Sequence, residues 1–109
     1  MSGNTWSVDD GKDIGFRFHY YKGSDKNAAL VLSNDTKYLE WYSSGIEDNT
    51  STFSSGTYGT FKTGNIILSN TTASISTTTG ALVIKGGVGI GGSLYVGNTS
   101  TFVGDILPN

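Results

Sequence analysis

Apolar and polar residues alternate from Ile14 to Tyr21, with Phe16, Phe18 and Tyr20 on one face and Arg17, His19 and Tyr21 on the other. A period of two predicts a β-strand. The polar stretch Lys22 to Asn27 predicts a turn or loop. Ala28 to Leu32 is a short continuous apolar run, which predicts a strand covered on both faces. Ser33 to Thr36 predicts a second turn, and Lys37 to Ser43 then sets Leu39 and Trp41 against Tyr38, Glu40 and Tyr42. Short polar connections of this kind join antiparallel neighbours. The chain turns polar after Ser43 and stays so through Ser51. Phe53, Tyr58 and Phe61 then recur among Gly, Ser and Thr, as one or two weak strands. Asn65 to Ser69 predicts a further strand around Ile66, Ile67 and Leu68. Ser69 to Thr79 is a Ser/Thr tract whose composition favours an extended spacer.

A different period begins at residue 80. Turn-type residues recur every six positions, at Gly80, Gly86, Gly92, Asn98 and Gly104. Two places after each stand Leu82, Val88, Leu94, Ser100 and Ile106, and four places after stand Ile84, Ile90, Val96, Phe102 and Pro108. Each unit reads as a turn followed by a short strand with two large side chains on one face. Asn serves where Gly supplies a positive φ, so Asn98 keeps the pattern. Such units cannot bury their apolar faces alone. A single-chain β-helix uses about three hexads per coil, so this tail would make fewer than two coils. Copies of the chain supplying the missing faces solve the burial problem. The favoured expectation is a threefold-symmetric fibre with Leu82, Ile84, Val88, Ile90, Leu94, Val96 and Phe102 in the trimer core and Gly80, Gly86, Gly92 and Gly104 at the turns.

Composition sharpens this into an all-β expectation. Of 109 residues, 16 are Gly, 14 Ser and 14 Thr, and strand-favouring types far outnumber helix formers. Three segments follow: an antiparallel β module over 1–62, a Ser/Thr-rich β spacer over 63–79 and a hexad-repeat segment over 80–109, β-helix or β-prism-like. Lys85 and Asp105 are the only charged residues after Lys62, whereas 11 of the 13 aromatics precede it. With no cysteine, disulfides and thiolate zinc sites are excluded. Seven basic residues against nine acidic ones leave no electrostatic footprint for nucleic acid. No apolar run approaches the ~20 residues of a membrane-spanning helix, and the first residues carry no secretory signal.

The stretch TGALVIKGGVGIGGSLYVG, residues 79–97, resembles a repeat in tail fibres and other virion structural proteins of tailed phages, those of cyanobacterial phages in particular. The segment from Asp13-Ile14-Gly15-Phe16-Arg17-Phe18 through Trp41 and on to Thr52–Gly59 resembles a β module found upstream of that repeat. The resemblance implies a trimeric, β-rich fibre or baseplate component located in the virion, with itself and other virion proteins as partners. Members are usually far longer than this chain. The resemblance transfers no catalytic residue and no cofactor.

The remaining candidates have plain structural readings. Gly87-x-Gly89-x-x-Gly92 has dinucleotide-binding spacing, but that motif must open a helix, and Ser93 to Thr99 continues the hexad instead. His19 has no nucleophile or orienting acid beside it in sequence and reads as a strand-surface or inter-subunit residue. Asp9, Asp10 and Asp13 around Gly11 do not match a calcium loop and read as a solvated turn. Glu40 and Glu47 are the only glutamates, a poor supply for a depolymerase. Sequons at Asn34, Asn49, Asn70 and Asn98 are expected by chance in this composition. Trp41 is expected in the core of the module. Tyr38 and Tyr42, on the Glu40 face, are the candidate surface for a host glycan, the alternative function being a carbohydrate-binding adhesin on a trimeric stalk.

Overall fold

The computed structural model describes residues 7–47 and 53–108. The polar stretch around Asn49 lies outside them. Contacts divide the chain into two units between Gly64 and Asn65. The first is an antiparallel sheet with no helix among the described residues: β1 (Ile14–Tyr21), β2 (Asp25–Leu32), β3 (Leu39–Glu47) and β4 (Phe53–Tyr58), in the order β1-β2-β3-β4.

The first hairpin is tighter than its composition suggests. β2 begins at Asp25, because Asp25, Lys26 and Asn27 pair with Tyr21, Tyr20 and His19. Only Lys22, Gly23 and Ser24 remain for the turn, with Gly23 at φ 76°. The second turn is closed by Lys37 N–H to Ser33 O at 2.9 Å and Ser33 N–H to Tyr38 O at 3.0 Å. These bonds hold Lys37 at φ 62°, where a side chain is disfavoured. β3 and β4 pair with register shifts between Tyr42 and Ser44 and between Ser44 and Ile46.

Register separates the faces. Phe16 opposes Leu30, which opposes Trp41, and Phe18 opposes Ala28. On the other face, Val31 opposes Glu40, and Ala29 opposes Tyr42, which opposes Tyr58. The buried apolar residues are Ala28, Ala29 and Val31, drawn from both faces of β2. The apolar run of β2 therefore fills the middle of the sheet only in part: Leu30 is half-buried and Leu32, expected to be covered with the rest, is 46% exposed. Large side chains flank it without being covered: Phe16 is 68% exposed and Leu39 70%. Trp41, expected in the core, is only half-buried; its indole N–H donates to Thr60 O at 3.3 Å and its ring lies against Gly59.

The second unit has no strand ladder among its described residues. Asn65–Ser69, expected as a strand, is unpaired coil with every side chain exposed. The Ser/Thr tract closes into a turn rather than a strand: Thr79 Oγ1 accepts the N–H groups of Ile75 at 2.8 Å and Ser76 at 3.0 Å. Gly80 follows at φ 109°, and a Cβ there would stand 2.9 Å from that of Ser74. From this point bends recur at 85–86, 91–92, 97–98 and 103–104, every six residues. The hexad of the sequence is thus a hexad of the backbone. Gly86, Gly92, Asn98 and Gly104 make their bends without left-handed φ, so positive φ is not what the grid requires.

Candidate functional site

Two regions of the chain gather side chains that can act on something else: a polar cleft on one face of the sheet and the apolar positions of the hexad tail.

The cleft centres on Glu40. β3 places Glu40 and Tyr42 on the same face, two residues apart, and β4 brings Tyr58 opposite Tyr42. The Tyr42 hydroxyl donates to Glu40 Oε1 at 2.9 Å. The hydroxyls of Thr36 and Tyr58 donate to Oε2 at 3.1 Å and 3.2 Å. Three hydroxyl donors thus hold a carboxylate that is only 8% exposed. Buried carboxylates demand such compensation. The Tyr42 and Tyr58 rings stack at 5.0 Å, and Phe53 leans on Tyr42 at 5.3 Å. Gly56 makes room, since a Cβ there would fall on the Tyr42 ring. Desolvation, then the bonds to Glu40 and Tyr58, push the Tyr42 phenol well above its ordinary value of 10.0.

Asp13 ties the cleft to its surroundings. Its two oxygens accept backbone N–H groups from Asn34 and Phe53, each at 2.8 Å, joining the lead-in to β1 with the β2–β3 turn and the start of β4. The cleft so formed, about 470 Å³, is bordered by Asn34, Asp35, Thr36, Phe53 and Tyr58 around the Glu40 carboxylate. The acidic group read from sequence is therefore divided. Asp9 and Asp10 cap local turns through Gly11 N–H and Lys12 N–H, while Asp13 is a long-range clamp. Among the described residues, no three His, Cys, Asp or Glu side chains converge as a metal site requires.

The two tyrosines proposed from sequence as a glycan surface part company. Tyr42 lines the Glu40 cleft. Tyr38, 71% exposed, borders a second hollow with Leu30, Leu39, Trp41 and Phe61. Tyr58, read only as part of a weak strand, is the residue that completes the cleft. Its role depends on the β3–β4 register, which no local pattern carries.

His19 sits in a surface network on the Glu40 side of the sheet. Arg17 Nη2 lies 3.3 Å from His19 Nδ1, and His19 Nε2 lies 2.6 Å from Asp25 Oδ1. Arg17 has only donors, so Nδ1 accepts and Nε2–H donates to Asp25. Arg17 Nε–H also donates to Asn27 Oδ1 at 3.1 Å. The place a nucleophile would take beside the imidazole is held by a guanidinium.

In the tail, all seven positions expected to form a trimer core are exposed in the single chain, from 44% at Ile84 to 66% at Leu94 and Phe102. The bends at Gly86, Gly92 and Gly104 leave open space where a Cβ would project. Ser93 to Gly97, which a dinucleotide site would need as a helix, is not helical and bends at Gly97.

No protein-family model matches the chain, and neither a curated protein nor a solved structure is significantly similar to it.

Proposed function

We propose that the chain is a structural component of a phage virion, a tail fibre or baseplate-associated fibre segment that assembles as a homotrimer and takes part in host attachment. Its work in this reading is assembly, rigidity and display, with other copies and other virion proteins as partners and no catalysis. The virion assignment rests on the resemblance of residues 79–97 and of the sheet module to phage fibre proteins. The homotrimer rests on the tail, whose hexad positions Leu82, Ile84, Val88, Ile90, Leu94, Val96 and Phe102 are 44–66% exposed in the single chain, and burying them between chains removes them from water at about 25 cal/mol per Å².

A second reading, a carbohydrate-binding module on a trimeric stalk, draws support from the Glu40 cleft. An open hollow bordered by Asn34, Asp35 and the outer ring of Tyr58 offers hydrogen-bonding groups beside an aromatic face, the pairing that sugars use. A glycan array probed with the intact chain separates the two readings: binding that Tyr58→Ala removes establishes the adhesin, and an array at background leaves the structural role alone.

The homotrimer is tested by the mass of the intact chain in solution, measured by light scattering. Three times the chain mass is expected, and a stable monomer overturns the reading.

A further inference from the structure

The Glu40 cleft carries acid and no base. Asp13, Asp35 and Glu40 border it, and among its described lining residues there is no lysine, arginine or histidine. None of the three carboxylates is paired with a Lys, Arg or His nitrogen among the described residues, where the ion pair found is His19–Asp25. The ammonium of Lys37, three residues before Glu40, is drawn aside to Asn34 Oδ1 at 2.9 Å and borders a neighbouring hollow instead. Thr36, Tyr42 and Tyr58 give Glu40 hydrogen bonds but no counter-charge, so a carboxylate that is 8% exposed is balanced by dipoles alone. The wall beside it holds an unspent donor as well. Ser33 is 6% exposed and its Oγ accepts Thr36 N–H at 3.3 Å, while its own proton meets no acceptor among the described residues. The Tyr58 ring, 67% exposed, closes the rim with an aromatic face.

We propose that this cleft binds an amino sugar, a hexosamine unit with a free, protonated amine, and turns acidic glycans away. The inference rests on the carbohydrate-binding reading above and names its ligand class. An ammonium brings the positive charge that the three carboxylates lack, and a hydrogen bond from a charged donor to a carboxylate is about twice as strong as a neutral one. Glu40 Oε1 takes one bond, from Tyr42, and a carboxylate oxygen accepts two. A ring hydroxyl of the sugar accepts the Ser33 proton, and its C–H face lies on the Tyr58 ring. The cleft, about 470 Å³, falls in the size range of small-ligand sites, roughly 300–1,000 Å³. A sugar carrying a carboxylate or a phosphate adds negative charge where no cation lines the wall, and like charges repel it.

Calorimetric titration of the intact chain, at mildly acidic pH where the amines are protonated, tests this with four probes: a glucosamine trimer, its N-acetylated counterpart, a galacturonic acid trimer and trilysine. The glucosamine trimer is expected to bind about tenfold more tightly than the N-acetylated one, the difference a charged hydrogen bond makes over a neutral one. The acidic trimer and trilysine are expected to give no binding heat. Glu40→Gln is expected to erase the preference for the free amine. Asp35→Asn, an exposed change in the β2–β3 turn, serves if loss of the Glu40 charge unfolds the sheet, and is expected to weaken the glucosamine trimer about threefold. Equal affinity for the two glucosamine-based trimers, or tighter binding of the acidic one, overturns the charge selection and leaves the carbohydrate reading standing. Trilysine binding as tightly as the glucosamine trimer overturns the sugar and makes the cleft a site for amines at large. A preference untouched by both substitutions places the binding outside the cleft and overturns the inference. Silence from all three oligosaccharides overturns the inference and the carbohydrate reading together.

Discussion

Glu40 shows how one buried charge organises its neighbours. A carboxylate with 8% exposure needs donors, and Thr36, Tyr42 and Tyr58 supply them from a turn and two strands. Removing one donor leaves part of a buried charge unpaired, which costs about 1–3 kcal/mol. Tyr42→Phe is expected to lower stability by that amount in urea unfolding at pH 7, with the fold retained. The same substitution reports on alkaline behaviour. The folded-state pKa of Tyr42 is raised above 10.0, so the folded form keeps a proton that the unfolded form has lost. The stabilisation is complete below pH 10 and declines as pH climbs from there toward the folded-state pKa. Wild-type unfolding followed between pH 9 and 11.5 is expected to show this decline setting in above pH 10, and Tyr42→Phe to show a shallower one. Equal slopes would mean the phenol is not held by the carboxylate.

Among the strands, the alternating pattern of Ile14–Tyr21 specified β1 to the residue, because every side chain there declares its face. β2 was legible from Ala28 onward but not at Asp25–Asn27. Those three residues favour turns in isolation and become strand only by pairing with Tyr21, Tyr20 and His19. β4 was weak in sequence, since Ser, Gly and Thr carry little pattern. With it the cleft was only half legible: Glu40 and Tyr42 share a face by simple parity, whereas Tyr58 joins them through a register interrupted at two places. The β1–β2 ladder has its own sensitive point at Gly15, opposite Val31. A Cβ there would fall on the Leu30 carbonyl oxygen, which is backbone and cannot swing away. Gly15→Val is expected to open this hairpin despite the higher strand propensity of Val, costing more than about 2 kcal/mol. Hydrogen exchange localised to residues 14–21 and 25–32 checks it, and unchanged protection there would refute the close approach.

At the scale of the whole chain, the two units bury little on their own, and each leaves a different kind of surface open: apolar side chains on the sheet and a periodic stripe on the tail. Ile90 is 51% exposed and sits between bends, so in a monomer Ile90→Asp is a near-neutral surface change. In a threefold fibre it places three carboxylates at the axis. Loss of the trimer in light scattering is therefore expected, with the far-ultraviolet signature of the sheet module retained. A variant that stays trimeric would remove the hexad positions from the axis.

The regular bends at 85–86, 91–92, 97–98 and 103–104 make the tail a ruler. In the proposed fibre, length gained or lost in whole units of six would leave every later bend and every axial position where it was. A change of any other size would turn the rest of the stripe away from the axis. Length in the proposed stalk is therefore quantised, and duplication or deletion of hexads would change it without redesigning its cross-section.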